Sequence, residues 1–188
     1  MKIVIRCKST GRVTPVLFQF GQAVNVRGGK FQGPAALSLP LYGVAGTFIL
    51  PSTASRQLYL AGGIGLTPFL AMIEARRAED HMTLLLSCRA SEVPVFEHLI
   101  TQAISAASYD NVKVNYHITS DTKPFLSPVN YATEVTLGRI SKSSFSSYKL
   151  EEMEIFLVGS GGYSEGVNLA LKECGVALRK VKTESFLY

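Results

Sequence analysis

From residue 56 onward, short runs of apolar residues alternate with stretches whose apolar positions recur at helical spacing. The runs "RQLYLAG" (56–62), "MTLLLSC" (82–88), "VKVNYHIT" (112–119) and "EIFLVG" (154–159) are rich in Leu, Val and Ile. Between them, "TPFLAMIEARRAED" (67–80) sets Phe69, Leu70, Met72 and Ile73 ahead of a charged tail. "VPVFEHLITQAISAAS" (93–108) and "SEGVNLALKECG" (164–175) have the same amphipathic character. A strand wetted on one face alternates apolar and polar residues, whereas a strand apolar along its length is covered on both faces. Such strands interleaved with helices predict an α/β fold: an open parallel sheet of about five strands with helices on both faces. Its last strand is expected around Val181–Glu184, and residues 120–134 read as a long polar loop.

Ahead of this alternation the chain has a different texture. "MKIVIRC", "LPLYGV" and "GTFILP" read as strands, and residues 21–39 are punctuated by Gly and Pro. Two domains are therefore expected, a β-rich one over residues 1–53 and an α/β one over 54–188.

Composition narrows the function classes. Hydrophobic residues make up 47% of the 188 and charged residues 18%, enough to bury a core and too few charges for a disordered chain. The net charge of +5 comes from scattered Lys and Arg, which suits an anionic small ligand better than a nucleic-acid groove. Cys7, Cys88 and Cys174 are far apart, so neither a disulfide framework nor a zinc site is indicated, and a reducing, cytoplasmic compartment is expected. The start of the chain does not read as a signal peptide, and no apolar run is long enough to span a bilayer. His81, His98 and His117 are dispersed, and "EARRAED" (74–80) reads as a solvated helix face.

"LAGGIGLTPF" (60–69) is the stretch that carries chemistry. It follows the first strand of the expected parallel sheet and opens a helix, with Thr67 as N-cap and Pro68 as first helical residue. At such a turn, free backbone N–H groups and the helix dipole attract a phosphate, and missing Cβ atoms admit it. Packing alone can also demand glycine there. Arg89 follows the end of another strand, the edge where open parallel sheets bind ligands, and a guanidinium there can fork onto a phosphate.

Several stretches in order resemble the ferredoxin–NADP reductase superfamily. "AGGIGLTPFLAMI" resembles its pyridine-nucleotide turn, and "GRVTPVLF" (11–18) the barrel segment whose Ser or Thr touches the flavin pyrophosphate. "LYGVAGTFILP" is similar to its last barrel strand and "SCRASEVPVFEHL" to the adenosine end of its nucleotide site. "FLVGSGGYSEGVNLAL" is similar to the stretch that usually reads Cys-Gly-Pro, and "TESFLY" to the closing Glu-x-Phe beside the flavin.

The resemblance implies NAD(P)H as a cofactor, with its pyrophosphate on Gly62, Gly63, Gly65, Thr67 and Pro68. Ser87 and Arg89 would meet the adenosine end, and Gly159, Ser160 and Gly161 would let a ligand approach the last strand end. Thr14, Phe186 and Tyr188 would touch flavin. No catalytic residue is assigned. Three departures accompany the match. The family's Arg-x-Tyr-Ser/Thr motif is not found before Gly11, which implies a partial antiparallel barrel, FAD weakly held or absent, and room for a partner chain to complete it. Val158 stands where the family has Cys, and residues 21–39 look remodelled. Two functions follow. One is an oxidoreductase, or a fragment of one, passing hydride between nicotinamide and flavin and serving a small substrate or electron acceptor. The other is a scaffold without redox activity whose vacated flavin cleft binds a small hydrophobic molecule, or catalyses its cyclisation or isomerisation.

Overall fold

The computed structural model describes residues 48–186 except 54, 107–108, 121–123, 125 and 127. The partial barrel expected over residues 1–53 lies outside them, apart from its last few residues. The described residues belong to one compact unit, Phe48–Tyr188.

Six strands form one parallel sheet: β1 (Arg56–Gly62), β2 (His81–Cys88), β3 (Val112–Ile118), β4 (Ala132–Leu137), β5 (Met153–Ser160) and β6 (Val181–Phe186). Their order is β4-β3-β2-β1-β5-β6. The chain runs outward from β1 through β4, then returns to the other side of β1. Three helices of two turns or more cover the sheet: α1 (Thr67–Glu74), α2 (Val93–Ser105) and α3 (Gly161–Glu173).

β1 shows why the buried strands lack alternation. Tyr59 and Ala61 face one core with Phe69, Met72 and Ile73 of α1 and Val93, Phe96 and Ile100 of α2. Leu58 and Leu60 face the other core with Val167, Ala170 and Leu171 of α3. All four β1 residues are fully buried. The ring of Tyr59 stacks on Phe69 at 4.7 Å between centroids, and Phe156 meets Tyr59 edge-on at 5.4 Å. Val158 is fully buried in the α1–α2 core, so in this chain its side chain is core packing.

The sheet has six strands where about five were expected. β4 starts within the stretch read as a polar loop, 120–134, and runs three residues past it; it escaped notice because it is an edge strand exposed along nearly its whole length. An edge strand without a covered face has no apolar run to announce it. Thr67 is the first residue of α1 and not its N-cap; Leu66 holds that place, and the Thr67 hydroxyl donates to the Ile64 carbonyl at 3.1 Å. A 3₁₀ turn, Gly63–Leu66, intervenes between β1 and the helix.

The stretch 74–80, expected as a solvated helix face, is solvated only in part, since Arg76 and Asp80 are buried polar anchors and α1 ends at Glu74. Arg76 is 4% exposed; it donates to the carbonyls of Ile73, Ile104 and Tyr109, each at 2.8 Å, and to Asn111 Oδ1 at 2.8 Å. Asp80, fully buried, accepts from Gln57 Nε2 at 3.2 Å and from the Arg77 guanidinium at 2.9 Å. Gln57 in turn accepts the Tyr59 hydroxyl. Arg77 also donates to the carbonyls of Pro51, Ser52 and Thr53, tying the segment ahead of β1 to the sheet. Hydrogen bonds from Arg77 and Ser55 hold the Asp80 carboxyl below its usual range, against the opposing effect of burial. Removing it leaves a buried Gln57 amide and a cation without their acceptor. Asp80→Ala is expected to cost about 3 kcal/mol in urea unfolding.

His117 on β3 is 1% exposed, and its Nδ1 has no partner among the described residues. Burial lowers its pKa to about 4. The unfolded chain takes up this proton below about pH 6.5 while the folded chain refuses it. Stability is therefore expected to fall as pH drops from about 6.5 to about 4, by up to about 3 kcal/mol. His117→Gln should flatten that limb of a pH series of denaturation midpoints.

Candidate functional site

The strand ends bring the expected ligand edge together. β1 ends at Gly62, β2 at Ser87–Cys88 and β5 at Gly159–Ser160. Between β1 and β5 the chain's direction of travel across the sheet reverses, and open α/β sheets bind ligands in the crevice outside such a point.

Steric contact explains the glycines at this edge. A Cβ on Gly65 would lie 2.3 Å from the Val158 carbonyl oxygen, so the 63–66 turn rests directly on the β5 backbone. A Cβ on Gly62 would lie 2.7 Å from Cδ1 of Tyr163, and one on Gly159 would lie 2.3 Å from the same atom. The Tyr163 ring, in the first turn of α3, thus lies on both strand ends. The opening of α3 is different: a Cβ on Gly161 or Gly162 would meet nothing within 4 Å. Ser160 is the N-cap of this 13-residue helix and makes no side-chain capping bond. The first N–H groups of α3 therefore lack a capping side chain, and they carry the positive end of the helix dipole.

A cavity of about 380 Å³ opens on the α3 face of this edge. Ser87 and Ser160 line it at the ends of β2 and β5, Thr119 just beyond β3, and Arg139 and Ile140 beyond β4. Gly162, Tyr163, Gly166 and Val167 of α3 close it. The Thr119 backbone N–H donates to the Cys88 carbonyl at 2.9 Å, and its hydroxyl does so at 3.2 Å, which fixes the ends of β2 and β3 together. Ser87 is 7% exposed and its Oγ has no hydrogen-bond partner among the described residues. The enclosed Ser87 hydroxyl faces that of Tyr163. Hollows of about 480 and 530 Å³ lie at the opposite, N-terminal ends of the strands, away from the switch point.

Of the residues singled out from sequence, the cavity unites Ser87 and Ser160, with Gly161 in the turn between Ser160 and Gly162. Gly62 and Gly159 meet across the Tyr163 ring. Gly63, Thr67 and Pro68 form the turn into α1 and are not among the cavity's lining residues. Arg89 is exposed at the start of the turn after β2, where its backbone N–H donates to Glu92 Oε2 at 2.9 Å. It too is absent from the lining. Thr14 and Tyr188 lie outside the described residues, and β6 ends at Phe186. Sequence reasoning missed Thr119, Arg139 and Tyr163. Arg139 follows an edge strand that was itself missed, and Tyr163 sits inside the glycine-rich stretch whose small residues drew the attention.

Replacing Gly65 by alanine would press a methyl group onto the Val158 carbonyl. The expected cost is about 1–3 kcal/mol, read as a lower denaturation midpoint in the absence of any ligand. A glycine kept only for ligand approach would show no such loss.

No family model matches the chain. Flavohemoprotein of Candida albicans is 31% identical over 131 residues, covering 55% of this chain and 33% of that protein. Among solved structures, the flavohemoglobin of Malassezia yamatoensis, with bound FAD and heme, superposes with a TM-score of 0.61 at 22% identity. It covers 97% of this chain, and the chain covers 43% of it. The ferredoxin reductase of carbazole 1,9a-dioxygenase gives 0.60 at 20% identity, covering 97% of this chain and 50% of that one. These two likenesses are of fold. The chain spans about a third of the curated relative's length and half or less of these two structures.

Proposed function

We propose that this chain, whose fold is that of the ferredoxin–NADP reductase superfamily, binds NAD(P)H at the C-terminal edge of its sheet and works as the nucleotide-binding part of a flavin-dependent oxidoreductase. One observation carries the reading: the cavity at the switch point joins a guanidinium, three hydroxyl side chains beside Tyr163, and the uncapped start of a long helix. That donor set suits a ribose-phosphate chain, which is anionic and rich in acceptor oxygens.

In this reading Arg139 and the first N–H groups of α3 hold the pyrophosphate, and Ser87 and Thr119 orient the adjoining ribose. Arg89, exposed beyond Ser87, reaches the adenosine end. Gly161 and Gly162, where a Cβ would meet nothing within 4 Å, leave the dinucleotide room at the opening of α3. Thr14, Phe186 and Tyr188 are assigned to flavin on the resemblance of their stretches. A flavin, when bound, accepts hydride from the nicotinamide and passes electrons onward; the protein supplies binding and orientation. The final acceptor belongs to the same proposal and is a small molecule or a redox partner. The relative and the neighbours named above are redox proteins, which favours this reading over a scaffold without redox chemistry.

Calorimetric titration of the purified chain with NADPH and NADH is the direct test. Binding of at least one is expected. Arg139→Ala should weaken binding about tenfold, the loss of one charge-assisted hydrogen bond of about 1.5 kcal/mol. Arg89→Ala should weaken NADPH more than NADH. With FAD added, the chain should oxidise the dinucleotide it binds in the presence of ferricyanide. A wild-type chain that binds neither dinucleotide defeats the proposal.

A further inference from the structure

β4 ends the sheet on one side, and among the described residues no strand pairs with its outer edge. An edge strand presents unpaired main-chain N–H and C=O groups, and proteins blunt it with lysine, proline or a bulge. The stretch "ATEVTL" has neither lysine nor proline, and its six residues pair one for one with Lys113–Ile118 of β3, without a bulge. The opposite edge strand, β6, carries Lys182 and Glu184. The one charge on β4 is drawn back from the edge. Glu134 binds Lys113 Nζ at 2.8 Å and accepts from Asn115 Nδ2 at 3.4 Å, and the Thr136 hydroxyl donates to Asn115 Oδ1 at 3.2 Å. Both side chains therefore reach over β3.

On the other face, the register with β3 sets Thr133, Val135 and Leu137 beside Val114, Tyr116 and Ile118, on the α1–α2 side. Val135 is 38% exposed and Leu137 52%. The backbone shares this alternation. The Gly138 N–H donates to the Ile118 carbonyl at 2.8 Å, so the Leu137 carbonyl of the same planar peptide points outward. Successive residues of a strand bond to opposite sides, and Thr133, Val135 and Leu137 thus offer their N–H and C=O groups to the open edge. Val135 and Leu137 combine uncovered apolar side chains with main-chain groups that face no strand among the described residues.

We infer that β4 is the seat of a two-fold dimer, in which β4 of a second copy pairs antiparallel with it and joins the two sheets. A two-fold axis perpendicular to the sheet keeps each face on its own side, so outward-bonding residues meet outward-bonding residues. Charge then selects the register. A pair centred on Glu134 would set that carboxylate against its own copy, which destabilises. A pair centred on Thr136 would carry Thr133 beyond the end of the other strand, to Arg139. Centred on Val135, the stretch Thr133–Leu137 pairs along its whole length: Val135 meets Val135, Leu137 meets Thr133, and Glu134 meets Thr136. Each outward-bonding pair exchanges two main-chain hydrogen bonds, and the apolar side chains of both copies gather on the α1–α2 side. With about five residues a side against the roughly 20–30 of a standard interface, the dimer is weak, half formed at a concentration on the order of 100 µM. No part of this pairing depends on a bound dinucleotide.

Sedimentation equilibrium of the whole chain from about 10 µM to about 1 mM reads the association directly. The weight-average mass is expected to rise with concentration from that of one chain towards that of two. Val135→Lys, at an exposed position, should leave the melting temperature within about 2 °C and hold the mass at one chain, because lysine would then face lysine. Val135→Pro removes an outward N–H and no β3 bond, and should also stay monomeric. Val135→Glu should be monomeric alone, yet an equal mixture with Val135→Lys should regain the dimer, since each lysine then faces a glutamate. Wild-type protein that remains monomeric at about 1 mM overturns the inference. A dimer that survives both Val135→Lys and Val135→Pro overturns it as well, by placing the contact elsewhere. A charge-swapped mixture that stays monomeric, or a mass that climbs beyond two chains, rules out the two-fold pairing at Val135.

Discussion

The contact between Gly65 and the Val158 carbonyl is the constraint on which the ligand edge depends. With no side chain at 65, the turn after β1 lies on the backbone of β5, and α1 starts at Thr67 with its apolar face already over the sheet. Phe69 then lands on Tyr59, and Phe156 closes the cluster from β5. Were the turn lifted by the width of a methyl group, the stacking of Phe69 on Tyr59 would open as well, because interiors are packed too closely to absorb the shift elsewhere. The same economy of side chain at Gly62 and Gly159 admits the Tyr163 ring, so the neighbouring strands β1 and β5 end under a shared aromatic ring. One steric requirement thus sets the course of the chain into α1, and its counterparts at the strand ends seat the first turn of α3.

The two ends of the sheet treat polar groups differently. At the N-terminal end, Asp80, Gln57 and Arg76 are buried and bonded into the backbone around them. They join segments distant in sequence, tying residues 51–55 to 77–80 and the α1 end to the close of α2 and to Asn111. A buried charge with its acceptors in place is rigid, and breaking it is costly. At the C-terminal end, the Ser87 and Tyr163 hydroxyls face each other, and Arg139 is exposed to solvent. A satisfied network holds the scaffold at one edge, and the cavity lined by Arg139 opens at the other. That polarity is what an open parallel sheet needs, since all its strands point their C-termini toward the same side.

Legibility followed the range of the interaction. The buried strands and helices were readable because two-sided burial writes itself into every residue of a strand such as Leu58–Ala61. β4 was not, since an edge strand that faces water needs only main-chain pairing, which leaves no mark on side chains. Arg76, Arg77 and Asp80 looked like solvent-facing charges because their partners stand about 25–35 residues away in sequence, at 51–55 and 103–111. A local window holds no trace of such a partner. At the site, Ser87 and Ser160 were found because their stretches resemble a nucleotide site, while Arg139 and Thr119 were missed because their relevance depends on which loops converge.

The glycine turn itself illustrates how a motif and its cause can separate. "GGIG" reads as room for a phosphate, yet Gly62 and Gly65 each have a neighbour within 3 Å of where a Cβ would stand. Packing accounts for both residues before any ligand is considered. The groups proposed to hold phosphate lie elsewhere along the same edge, in Arg139 and in the open first turn of α3, where a Cβ on Gly161 or Gly162 would meet nothing. A glycine therefore carries ligand information only where the space it leaves is empty. By that criterion Gly161 and Gly162 leave room for the proposed ligand, and Gly65 is accounted for by β5. The turn after β1 seats α1 on the sheet, whereas the proposed site is built from the β5–α3 turn and from residues at or beyond the ends of β2, β3 and β4.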